Sequence, residues 1–297
     1  MRVLAGCCLL AALAAQDTIK VDVEVVNVFS TVRNRNGALI KDLDKDNFEI
    51  REDGKPQQIR YFARETDLPL TLGLLVDVSG SVRRMVQAEK ETAGRFLKQV
   101  LRAKDQALLV GFSSTIVTWQ DFTESPAVLE QTLEKLHAVP FRGVPKDGGP
   151  APATLLYDAV YSTAVNKFQT VQGRKAMLVI SDGVDIGSRQ SMQNAIRAAQ
   201  VANTIIYGIC YRNVRESGCP YLHSLAEPTG GRMFTVTPAT PLSAIFETIQ
   251  EELRSQYSLG YVSTNAARDG SYRKLQVEVR PRGLRVEARK GYYAATQ

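Results

Sequence analysis

Residues 70–82 read LTLGLLVDVSGSV, an uncharged, largely apolar run that ends abruptly at Asp77 and passes into Ser79, Gly80 and Ser81. A continuous run of this length, with no polar alternation, suits a strand buried on both faces. Two later stretches repeat the design: 175–181 (KAMLVIS) breaks at Asp182-Gly183, and 204–210 (TIIYGIC) breaks into a loop. Between and after these runs lie segments with apolar residues at helical spacing: 85–101, 127–136, 155–165, 192–202, 220–228 and 241–257. Strands alternating with helices predict an α/β unit built on a doubly wound, mostly parallel sheet. Residues 106–114 and 115–122 are joined tightly enough for an antiparallel pair, and 232–236 (RMFTV) completes the strand set.

In such a sheet the carboxyl ends of the strands form the ligand-binding edge. Asp77, Ser79 and Ser81 follow the first strand, and Asp182 follows 175–181. The Gly- and Pro-rich loop 141–153 delivers Thr154 to the same edge. All five offer oxygen. Two carboxylates and three hydroxyls suit a hard divalent cation, Mg2+ or alternatively Mn2+ or Ca2+. Each group taken singly has a plainer reading: Ser and Asp ahead of a helix are ordinary N-caps, Thr154 suits the cap of 155–165, and Ser-Asp-Gly is a common turn. Three independent caps after three strands, in this order, are a less economical account than one metal site.

The DxSxS, Thr and Asp elements, in that order, resemble the metal-ion-dependent adhesion site of von Willebrand factor type A domains, and the resemblance covers roughly Leu70 to Arg254. It implies that Ser79, Ser81 and Thr154 touch the metal directly while Asp77 and Asp182 act through waters. Neutral hydroxyls next to the ion would leave it residual positive charge, with which to recruit an Asp or Glu carboxylate of a protein partner.

The flanks differ in character. Residues 19–28 (IKVDVEVVNV) and 47–52 (NFEIRE) alternate at strand period, with turns at 33–38 and 52–56. Residues 257–261, 275–279 and 284–288 do the same after the last helix. Neither flank is long enough to bury a full core alone. They are expected to pair into one small β-sandwich with the α/β unit inserted between them, as happens in integrin β subunits. The implied division is 1–15 signal peptide, 16–66 N-terminal flank, 67–255 type A domain and 256–297 C-terminal flank. The LGY and RKGYY elements of the tail also resemble exported bacterial proteins that contain this domain. In that topology the helix 241–257 could report metal-site occupancy to the sandwich, with Ile249 and Leu253 facing the sheet.

Met1–Ala15 carries one Arg, an apolar stretch and a small-residue end, a short secretory signal rather than a span of about 20 residues. Export leaves Cys210 and Cys219, which can close a disulfide around a loop in an oxidising compartment; two free thiols are the alternative in a reducing one. The protein is then periplasmic, at the cell surface or secreted.

The net charge of +6 is thinly spread, and the richest basic stretch, 280–290, alternates with Val and Leu as a solvated strand face does, which argues against a nucleic-acid partner. Neither GxGxxG after the first strand nor GxxxxGK[ST] occurs, which argues against a nucleotide. GxSxG is absent and neither histidine, His137 or His223, lies on the three loops, so a binding module is expected rather than an enzyme. The alternatives are an envelope-assembly protein acting through its β module and a metal-assisted hydrolase.

Overall fold

The computed structural model describes residues 25–64, 68–80, 83–136, 153–211, 218–280 and 282–296. The expected signal segment 1–15, Ser81, His137 and most of loop 141–153 lie outside the described residues.

The runs read as doubly buried strands are that. β5 (Leu70–Asp77), β8 (Arg174–Ser181) and β9 (Thr204–Tyr211) form the middle of a six-stranded sheet with β6 (Gln106–Phe112), β7 (Ile116–Thr123) and β10 (Met233–Val236). The order is β10-β9-β8-β5-β6-β7, parallel throughout except for the antiparallel pair β6–β7. The chain begins this sheet at β5, sets β6 on one side and later returns to lay β8 on the other. The winding therefore reverses at β5, and the crevice of the fold opens at its carboxyl end.

Helices cover both faces. On one, α1 (Arg83–Val100), α2 (Pro126–Lys135) and α6 (Leu242–Arg254) bury Phe96, Leu129, Phe246, Ile249 and Leu253 against Leu72, Leu74 and Val76. On the other, α3 (Leu156–Thr163), α4 (Met192–Val201) and α5 (Cys219–Ala226) pack Val160, Ala195 and Leu222 against Leu75, Val110 and Val179. The two faces of β5 are thus divided residue by residue, as the two-residue period of a strand requires. α3 does not stop where the apolar spacing ends; it runs on as a π-helical turn over Ala164–Phe168. Phe168 reaches Gly73, where an added Cβ would sit 3.0 Å from its ring.

The flanks pair with each other. β1 (Val25–Asn34) and β4 (Ile59–Arg64) join β11 (Tyr257–Val262) and β13 (Leu284–Ala288) in the sheet β13-β1-β11-β4. β2 (Phe48–Glu52) and β3 (Lys55–Gln57) join β12 (Tyr272–Val279) and β14 (Gly291–Tyr293) in the sheet β14-β12-β2-β3. Each sheet draws strands from both sides of the α/β unit. Their facing residues form one apolar cluster, including Val28, Val32, Ile50, Tyr257, Leu259 and Leu275. The buried centre of this sandwich also holds a charge: Glu52 and Arg273 are both 2% exposed at their side chains and 3.2 Å apart.

Candidate functional site

Asp77 ends β5 and is fully buried. One carboxylate oxygen accepts from the Ser79 backbone N–H at 2.9 Å, which turns the chain sharply after the strand. The other accepts from Ser181 Oγ at 2.7 Å. Ser181 ends the neighbouring strand β8, and its oxygen in turn accepts from Gly183 N–H at 3.0 Å. The two strand ends are therefore tied together through one hydroxyl. Burial, helped by the nearby charge of Asp182, outweighs the bonds with Ser79 and Ser181 and pushes the Asp77 carboxyl up to about 6. The effect of Asp182 on Asp77 follows from their positions at the ends of two adjacent strands, in register at Val76 and Ile180.

Thr154 approaches from the other side. Its N–H donates to Ile186 O at 3.0 Å and its carbonyl accepts from Ile186 N–H at 2.9 Å, an isolated bridge to the loop that follows β8. The next residue, Leu155, donates to Ser113 O beyond the end of β6. The segment 154–155 consequently spans from the β6 end to the β8 loop, across the end of β5. Thr154 is 8% exposed, Ser79 8% and Asp182 5%. The structure brings Asp77, Ser79, Thr154 and Asp182 to one edge of the sheet; Ser81 lies outside the described residues.

The capping alternative for Thr154 does not hold. The N-cap position of α3 is Leu155, which makes no side-chain cap bond. The first free N–H groups of the helix are met from the β8 loop, Tyr157 N donating to Asp185 Oδ1 at 3.1 Å and Asp158 N to Ser188 Oγ at 3.2 Å. Asp158 returns the connection by accepting from the Arg189 and Gln190 backbones. The Thr154 hydroxyl has no such duty.

Asp182 has its own support. Its carbonyl accepts from Gly218 N–H at 2.9 Å, and Cys210 Sγ lies 3.7 Å from it. Cys210 and Cys219 are joined by a disulfide, with their Cα atoms 5.5 Å apart. Gly183, at φ +82°, packs so closely on Gly218 that an added Cβ would meet Gly218 O at 2.3 Å. The disulfide and its flanking glycine thus form a wall of the Asp182 loop. Ser181 and this glycine contact were not singled out from the sequence, although Ser-Asp-Gly after a strand marked the turn.

As a donor set, the four described residues offer only oxygen at a sheet edge, with two carboxylates that repel each other unless a cation lies between them. That is the chemistry a hard divalent ion requires. No group of three or more His, Cys, Asp or Glu occurs among the described residues, so a site at this edge relies on hydroxyls. His223 lies on α5, exposed and 4.0 Å from Glu227.

The six-stranded sheet with helices on both faces has the von Willebrand factor type A fold. The structure of proximal thread matrix protein 1 from the mussel byssus matches it with a TM-score of 0.53 at 14% identity, over 68% of this chain and 51% of that chain. The match thus spans about half the length of the mussel protein. Two bacterial structures give TM-scores of 0.49: the conserved hypothetical protein BatB from Bacteroides thetaiotaomicron, at 14% identity over 62% of this chain and 97% of that one, and the vWF domain of the type V pili tip protein Mfa5 from Porphyromonas gingivalis, at 16% identity over 63% and 95%. At these identities the likeness concerns the fold, and of the three the mussel match carries it. No protein-family model matches the chain, and no curated protein matches it by sequence.

Proposed function

We propose that the protein is an exported, divalent-metal-dependent binding module that captures an acidic side chain of a protein partner. The observation that carries this reading is the convergence of Asp77 and Asp182 from adjacent strand ends, with Thr154 pinned across them by its bridge to Ile186. Asp77, Ser79, Ser81, Thr154 and Asp182 would hold the ion, Mg2+ in the first instance and Mn2+ or Ca2+ as substitutes. When bound, the cation would supply a coordination position open to a carboxylate. Ser181 would fix the orientation of Asp77, and the Gly183–Gly218 contact that of Asp182. A structure of the mussel byssus protein is described as having zinc in its metal-ion-dependent adhesion site. That description concerns the mussel protein; the reading here rests on the donors of this chain.

Binding is favoured over turnover because the described histidine, His223, is exposed on α5 beside Glu227, and a serine nucleophile is ordinarily activated by such a base. We divide the chain into 16–66, 67–255 and 256–297, with the β-sandwich as carrier of the type A unit; the pairing of strands from both flanks supports this reading. No helix among the described residues is long and apolar enough to cross a membrane. Calorimetry on metal-stripped protein tests the proposal: one Mg2+ or Mn2+ site is expected, lost in Asp77→Ala and in Asp182→Ala. Undiminished binding in both folded variants would overturn it. A partner captured from envelope extract with Mg2+ but not with chelator would extend the result to function.

A further inference from the structure

At the opposite end of the sheet, three cations converge where the α/β unit meets the sandwich. Lys41, in the connection after β1, and Arg102, just past α1, line a cleft of ≈ 340 Å³ together with Arg254, Ser255 and Tyr257 at the junction of α6 and β11. No carboxylate belongs to this lining. Arg174, which opens β8, donates to Leu253 O, so this junction lies at the amino ends of the strands, away from Asp77 and Asp182.

Basic residues near helix C-termini have an ordinary explanation in the helix dipole. Arg254 satisfies part of it, donating through one terminal nitrogen to Gln99 O in the last turn of α1. That leaves two donors unexplained. Arg254 Nε and Ser255 Oγ are both buried without a hydrogen-bond partner, and Ser255 is only 4% exposed. Neither atom has surface open to the cleft, so what the cleft offers a ligand is charge. The Tyr257 hydroxyl is already committed, accepting from Leu43 N–H at 3.1 Å and donating to Ile40 O at 2.8 Å, so that residue serves as a wall. Asp42 and Asp44 act electrostatically on Tyr257 but lie outside the lining, and Asp44 is held by Arg64.

The cleft therefore presents three positive charges. Its size is that of a small-molecule site, which begins at about 300 Å³ and is far larger than the roughly 30 Å³ of one water. We propose that it binds a phosphate-class oxyanion, carried by a soluble phosphate ester or by a phospholipid headgroup. Lys41 and Arg102, both exposed, bring charge to the mouth, and Arg254 lines the wall. Planar guanidinium and ammonium donors together suit the several acceptor oxygens of such a group.

The test uses the whole protein, stripped of metal so that the Asp77 edge does not contribute. Calorimetry with glycerol 3-phosphate at low salt is expected to show one saturable site that weakens as salt is raised. Lys41→Gln, an exposed change that leaves the fold alone, should weaken it about tenfold, the loss of one charge-assisted bond. Arg102→Gln, also an exposed change, should weaken it severalfold. Lys55→Gln, on exposed β3, is the control and should change nothing. A parallel sedimentation arm uses phosphatidic acid vesicles against phosphatidylcholine vesicles. Binding of the ester alone assigns a soluble ligand, and Lys41-dependent sedimentation with phosphatidic acid assigns a lipid. No saturable binding in either arm, or equal loss in Lys41→Gln and Lys55→Gln, would overturn the proposal.

Discussion

Arg33 of the sandwich strand β1 donates to the carboxylate of Glu252 on α6, the last helix of the α/β unit. Glu252 also accepts from Arg232 and from the Tyr207 hydroxyl of β9, and its side chain is only 2% exposed. One buried carboxylate thus joins the central sheet, its final helix and the β-sandwich. Burial pushes this carboxyl up, and the two arginines pull it down without cancelling the effect.

Removing Glu252 while both arginines remain should destabilise the protein by about 3–5 kcal/mol, the usual consequence of leaving buried charge unpaired. A double-mutant cycle between Arg33→Ala and Glu252→Gln should give a coupling of about 0.5–3 kcal/mol by denaturant unfolding. Additive losses would mean that the contact does not join the two modules energetically.

Ile249 and Leu253 are 0% and 1% exposed and face the sheet from α6. Each change to Ala should cost about 2–5 kcal/mol in stability. If α6 reports on the metal edge, a folded double variant with metal still bound should also show altered partner affinity, by a factor corresponding to about 1–3 kcal/mol at most. Unchanged affinity would make the helix a connector.

Glu52 gives the sandwich an acid-sensitive centre. Burial alone would raise its carboxyl, but hydrogen bonds from Ser263, Tyr261, Tyr292 and Arg273 outweigh burial and hold it below its ordinary 4.5. A carboxyl depressed in the folded state stabilises fully above its unfolded value and loses that contribution as pH falls through the folded one. Stability should therefore decline below about pH 4.5, and in Glu52→Gln the acid limb of the stability curve should be flatter while stability at pH 7 is lower. Chemical denaturation across pH measures both, and parallel curves for the two proteins would count against this role.

The Cys210–Cys219 disulfide closes a short loop, worth up to ~3 kcal/mol in the chain-entropy model. Because Gly218 and Cys210 both contact the Asp182 carbonyl, reduction should weaken metal binding severalfold as well as lower the melting temperature. Gly183→Ala should do the same with the disulfide intact, because its Cβ would strike Gly218 O and its φ is positive. Metal affinity unchanged in both would show that the wall is not part of the site.

The strands that are buried on both faces were plain in the sequence because each position obeys one rule: Leu70–Asp77 needs no partner to be recognised as apolar throughout. The helix periodicity likewise placed Ile249 and Leu253 on the sheet side. Asp77, Ser79 and Asp182 could be read as strand-end residues for the same reason, and Thr154 from the Gly- and Pro-rich loop ahead of it. Ser181 could not, since its role depends on Asp77, 104 residues earlier in the chain. The buried charges were invisible for a related cause: Glu52 and Arg273 are 221 residues apart, and Arg33 and Glu252 are 219 apart. Pairing of the flanks was legible from their shared alternation, but the partners were not. Edge strands such as Ile59–Arg64, with most positions exposed or half-buried, carry too little pattern to fix a register.

The interleaving of flanking strands has a consequence for the order of assembly. On a ribosome, β1 to β4 emerge before the α/β unit, and although β2 and β3 can pair with each other, β1 must wait for β11 and β13, β2 for β12 and β4 for β11. The intervening α/β unit, whose contacts are more local, can fold while those early strands remain unpaired at their edges. Long-range strand pairing is slow, and open edges are sites of mispairing. During synthesis, therefore, residues 25–64 are the exposed part of the described chain until β11 arrives, and a chaperone that shields them would guard the open strand edges over that interval.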